Sequence, residues 1–187
     1  IHMARNHTGK SRIAKIEGSY HGWTDELFAS CWPNKTQYGS VDAPRTLAGS
    51  LGLHPNMIES TLILPFNHIE HTSRLIERHA DELAAVILEP VLIDIGYIPA
   101  SQAYLSALRE LCTDHNITLI FDELLTGFRV APGGAQARYS ITPDLSIFGK
   151  AIANGFPMAA VAGTEELMRL TEPGKGPVFV GTFNAHA

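Results

Sequence analysis

Cysteine is scarce in this 187-residue sequence: only Cys31 and Cys112 occur, and they form no C-x-x-C pair. Two cysteines are no disulfide framework, which points to a reducing, cytoplasmic setting. Long apolar runs are missing as well. None approaches the roughly 18 residues that span a bilayer, and 1-IHMARNHTGK-10 lacks the apolar core of a signal peptide. There is no basic block and the formal charge is -5, so nucleic acid has no electrostatic footprint to bind. No G-x-G-x-x-G follows a strand-like stretch, no Walker sequence is present, and 132-PGGAQ-136 is only a glycine-rich loop. Dinucleotide and P-loop sites are thereby disfavoured. The nine histidines show no zinc-ligand spacing, and no metal is expected.

What remains is the composition of an ordinary globular domain, 45% hydrophobic and 18% charged, long enough for one substantial core. Ile13 to Ile16 and Thr61 to Leu64 read as short strands, and 2-HMAR-5 as the tail of a helix. Between Cys31 and Met57 the pattern is broken by Pro33, Gly39, Pro44, Gly49, Gly52 and Pro55, which suggests a functional flap. Leu75, Ile76, His79 and Leu83 share a helical face, followed by an apolar strand from Ala85 to Leu88. A second stripe of Tyr104, Leu105, Leu108, Leu111 and Cys112 precedes a strand from Ile117 to Phe121. Leu145 to Phe148 and Met158 to Ala162 read as further strands, and Thr164 as the cap of a short helix. Helices alternating with fully apolar strands predict an α/β fold with a mostly parallel sheet.

Sites in such sheets gather beyond the carboxyl ends of the strands. That rule selects Glu89, Asp122 with Glu123, and Lys150 from separate segments. Asp122 either caps a nearby turn or holds a cationic partner such as a protonated pyridine nitrogen. Glu123 beside it is expected to form a structural salt bridge. Lys150, between Gly149 and Ala151, is either a surface strand end or an amine that condenses with an aldehyde. Tyr20 is an aromatic plug over the core or a flat surface for a cofactor ring. His21 could serve as a hydrogen-bonding group behind the site.

Taken together, 17-EGSYHGW-23, 65-PFNHIE-70, 84-AAVILEPVLIDIGYIP-99, 119-LIFDELLTGFRVAPGGAQ-136, 142-TPDLSIFGKAIANGFP-157 and 181-GTFN-184 resemble the class III, fold-type I pyridoxal-phosphate aminotransferases. Within that family the chain looks most like the glutamate-1-semialdehyde 2,1-aminomutases and their aminotransferase relatives. The resemblance implies a three-layer large domain that binds pyridoxal 5′-phosphate. It implies that Lys150 bonds to the cofactor aldehyde and that Asp122 pairs with the ring nitrogen. Tyr20 would stack on one ring face and Leu124 on the other, with Asn67 near the 3-hydroxyl and Glu89 orienting site groups. Thr182 would reach across a homodimer interface to the partner's cofactor phosphate.

Departures from the family pattern cluster near the expected site. Leu125 stands where many of these transaminases carry glutamine, as in the aminomutase branch, where methionine is common; but 153-ANGFP-157 replaces the usual Gly-Gly-Gly-Met-Pro, and Trp23 replaces a histidine common in the aminomutases. They favour amino transfer between a small amino donor and a separate keto or aldehyde acceptor, with the aminomutase reaction as the alternative. A noncatalytic, interaction-only relative is the reading from another class. The family is more than twice this length, so the chain reads as a partial large domain lacking its N-terminal part and the C-terminal small domain. The segment alone is expected to have little activity.

Overall fold

The computed structural model describes residues 1–34 and 36–181. The chain opens with helix α1 (His2–Thr8), one turn beyond the helix tail read from the sequence, and enters strand β1 (Arg12–Ile16). The proposed flap contains a two-residue hairpin, β2 (Gly39–Ser40) against β3 (Ala43–Pro44), and helix α2 (Pro55–Glu59). Strand β4 (Thr61–Leu64), helix α3 (Ile69–Arg78) and strand β5 (Leu83–Leu88) follow. Leu83 therefore begins a strand, and His79 is the cap that ends the helix. Next come β6 (Val91–Leu92), β7 (Ile98–Pro99), α4 (Gln102–Asp114) and β8 (Thr118–Asp122). Helix α5 (Gly134–Tyr139), β9 (Leu145–Phe148), β10 (Ala160–Gly163) and α6 (Glu165–Met168) complete the order.

Six strands form one sheet in the order β10-β9-β8-β5-β1-β4, parallel throughout except for antiparallel β10 at the edge. From β1 the chain moves outward to β4, then returns to the other side of β1 with β5. The carboxyl ends of β1, β5, β8 and β9 consequently line one rim around a topological switch point, where ligands settle in such sheets.

Both faces of the sheet are covered, which is why its strands read as unbroken apolar runs. Val86, Leu88, Leu119 and Phe121 pack toward Leu75, Ile76, Tyr104 and Leu108 of α3 and α4. Ala85, Ile87 and Ile120, offset by one residue, pack toward Met3 and Ala4 of α1 and Leu167 of α6. Each large side chain buried here contributes about 1.5–3 kcal/mol, so the rim stands on a rigid base. Ser101 caps α4 by accepting the Tyr104 N–H, and Thr164 caps α6 by accepting that of Leu167. Among the described residues no helix is long and apolar enough to cross a membrane.

Candidate active site

Asp122 is the last residue of β8 and is almost fully buried. One carboxylate oxygen, Oδ1, accepts the Leu124 N–H at 3.1 Å. The other, Oδ2, lies 2.8 Å from His21 Nδ1. Oδ1 thus caps the turn after β8, and Oδ2 faces His21. A carboxylate can only accept here, so His21 carries its hydrogen on Nδ1. Burial pushes the imidazole pKa down, and the Asp122 hydrogen bond and charge oppose that shift without reversing it. His21 Nε2 is buried without a hydrogen-bond partner among the described residues.

Glu89 follows β5 directly and is buried. It accepts backbone N–H groups from Tyr20 at 3.3 Å and Ile93 at 3.4 Å. Burial raises its carboxyl to about 7, with the nearby Asp122 and Asp94 charges adding to the rise. Glu89 therefore ties the end of β5 to the backbone that presents Tyr20. The Tyr20 ring is partly exposed and no plug. It stacks on Trp32 with centroids 5.5 Å apart and meets Phe28 edge-on at 5.9 Å. Trp32 and Phe28 went unread in the sequence, because this trio is assembled by a loop with no periodicity.

Lys150 stands two residues beyond β9, exposed, as the first residue of a 3-10 turn over Lys150–Ile152. Its φ of 48° is in the left-handed region, a costly setting for a side chain with a β-carbon and one that gathers at functional sites. Among the described residues its amine makes no hydrogen bond or ion pair. Gly149 just before it has no room for a side chain, since a β-carbon there would collide with Leu124 Cδ2. That contact brings the loop after β8 against the loop after β9, and so Asp122, Leu124 and Lys150 belong to one rim.

Two further polar side chains are held by hydrogen bonds. The Asn67 amide is committed to structure: it donates to the Pro99 carbonyl at 3.0 Å and accepts from the Ser101 N–H at 2.8 Å. Glu123 forms no salt bridge among the described residues. It is buried and accepts from Thr126 Oγ1, Ala135 N and Gln136 N, anchoring the start of α5. Backbone donors at a helix start replace the cation. Thr182 lies outside the described residues. Beside the rim a cavity of about 690 Å³ is lined by Glu17, Trp32, Tyr38, Phe66, Asn67 and Ile95. Trp32 is thus a wall of the cavity and the backing of Tyr20.

A buried, histidine-held carboxylate, a backed aromatic ring and a strained lysine can bind a protonated ring nitrogen, a flat face and an aldehyde respectively. Comparisons with known proteins agree with that chemistry. The chain is 40% identical over 185 residues to a glutamate-1-semialdehyde 2,1-aminomutase of Salinibacter ruber, covering 98% of this chain and 40% of that protein. It is similar to the crystal structure of an omega-transaminase from Sphaerobacter thermophilus, with TM-score 0.88 and 40% identity over 98% of this chain and 42% of that one. A transaminase solved with PLP bound matches at TM-score 0.85 and 35% identity, covering 97% of this chain and 41% of the other. The chain thus spans about two fifths of the relatives it matches. The family model described as Aminotransferase class-III matches residues 1–187, and the chain belongs to that family.

Proposed function

We propose that this chain holds pyridoxal 5′-phosphate and that the full-length protein transfers an amino group from a donor amine to a carbonyl acceptor. The observation that carries this reading is the buried His21–Asp122 pair at 2.8 Å, whose aspartate ends the strand next to the one that presents Lys150. When bound, the cofactor supplies a ring that takes up negative charge from the carbon bearing the amino group. Asp122 holds the proton on the ring nitrogen, and His21 fixes the carboxylate that does so. Tyr20, backed by Trp32, supports one ring face and Leu124 the other. Lys150 supplies the amine that anchors the cofactor. The same amine, when free, would be the base that takes up and returns the proton of the donor's amine-bearing carbon. Glu89 orients Tyr20 through its backbone.

Asn67 near the 3-hydroxyl and Thr182 at a partner's phosphate complete the set in a cytoplasmic homodimer. The aminomutase reaction, in which the amino group returns to the same carbon skeleton, is the second reading. The name carried by the Salinibacter ruber relative favours it.

Full-length protein supplied with pyridoxal phosphate is expected to show the absorbance of lysine-bound cofactor, and Lys150→Ala is expected to lose it. Wild-type protein without that absorbance would sink the enzyme reading. A panel of donors and acceptors separates the two reactions, because glutamate-1-semialdehyde consumed without an external acceptor identifies the aminomutase.

A further inference from the structure

Lys15 is fully buried in β1, although the cofactor chemistry assigns it nothing. Alternation along the strand turns it to the same face as Ile13, where an apolar residue is the ordinary occupant. Its Nζ lies 2.7 Å from the Ser19 carbonyl, 2.6 Å from that of Ala29 and 3.1 Å from that of Leu27. Cys31 Sγ is a fourth neighbour at 3.3 Å. Three carbonyl oxygens within reach match the three N–H donors of an ammonium, where a neutral amine has two, although Cys31 Sγ also lies 3.1 Å from the Ser19 carbonyl and can donate to it. This cage of acceptors suits an ammonium, and the burial that lowers the Lys15 pKa opposes it.

All four neighbours belong to one segment. Ser19 immediately precedes Tyr20 and His21, while Leu27, Ala29 and Cys31 lie on its return, beside Phe28 and Trp32. We infer that Lys15 is a positioning residue for the cofactor-binding groups: its ammonium fastens the departure and the return of the segment that carries Tyr20 and His21. The link to the cofactor rests on the function proposed above; the fastening itself does not.

A second effect follows from the fixed position of this charge. His21 faces Asp122, which favours its protonation, and Lys15, which opposes it. Lys15 in turn faces Cys31 and Glu89. A neutral His21 leaves the negative charge of Asp122 to the cofactor nitrogen, whereas a protonated one would compete for it.

The test uses full-length protein with pyridoxal phosphate and the variants Lys15→Met, of similar length without donor or charge, and Lys15→Gln, a donor without charge. Lys15→Met is expected to weaken cofactor binding by about tenfold or more, as loss of charged hydrogen bonds implies. Lys15→Gln should recover part of that loss. In both variants the His21 titration, followed by NMR of the imidazole, should move to higher pH, and the activity profile should move with it. Wild-type affinity in Lys15→Met, or an unmoved His21 titration in both variants, would overturn the inference. Should the variants not fold, nitrogen NMR of lysine-labelled wild type still decides. A protected ammonium at Lys15 at neutral pH supports the role, and a neutral amine there removes it. If the protein binds no cofactor at all, the proposed function fails, yet the His21 and Lys15 signals still test the fastening in the apo protein.

Discussion

The Glu89 carboxyl accepts two backbone N–H groups at 3.3 and 3.4 Å, long for bonds to a charged acceptor, and they hold its pKa down less than burial raises it. Its value of about 7 in the fold, against 4.5 ordinarily, has a definite thermodynamic sign. The folded state binds this proton more tightly than the unfolded state, so the contribution is full below about pH 4.5 and is lost as pH rises through 7. Urea unfolding of the full-length protein between pH 5 and 8.5 is expected to show it as about 2 kcal/mol of falling stability that Glu89→Gln removes. An equal slope in both proteins would show that Glu89 does not titrate there. Single residues were legible in the sequence where position alone selects them: Asp122, Glu89 and Lys150 each end or follow a strand. Pairings were not. His21 meets Asp122 across 101 positions, and Lys15 in 13-IAKI-16 looks like any polar residue in a strand until the carbonyls around it are in view.

Among the elements, the strands were the most legible, since burial on both faces writes an unbroken apolar run. Boundaries slipped where a helical stripe ran on into a strand, as at Leu83, or where a strand began late, at Ala160 in place of Met158. The segment from Cys31 to Met57 reads only as a flap, without elements, because its order comes from distant partners, such as the bridge between Ala29 and Ala48 and the Ser30 N–H donated to the Leu47 carbonyl. The contact between the loops after β8 and β9 is another tertiary feature, and it can be tested at Gly149. Its φ of -167° suits any residue, so the glycine is required by space alone. Gly149→Ala is expected to displace Leu124 and cost about 1–2 kcal/mol, with a larger loss of cofactor binding. Adding Leu124→Ala should restore stability in part, a coupling that thermal unfolding of both singles and the double resolves. Purely additive losses would mean that the two side chains do not share this space.

For the whole molecule, the apolar surface that stays uncovered is as informative as the core. Val178, Phe179 and Val180 are consecutive and at least half exposed, and Phe156 and Met158 are exposed as well. Most of edge strand β10 is also open to solvent. Three exposed apolar residues in a row are unusual on a free surface and mark contact with further protein. The chain spans about two fifths of the relatives it matches, so the rest of such a protein, or a second copy, has the extent to cover them. Expressed by itself, the 187-residue chain is therefore expected to associate as its concentration rises, in a sedimentation-velocity series at fixed salt. Val178→Ser with Val180→Ser should shift that series toward monomer without lowering the unfolding temperature by more than a few degrees, because neither side chain is buried. In a longer protein whose added residues cover 178–180, the same substitutions should instead lower stability, because the two side chains would then lose apolar contacts. If the isolated chain stays monomeric at every concentration, residues 178–180 are ordinary surface and need no covering partner.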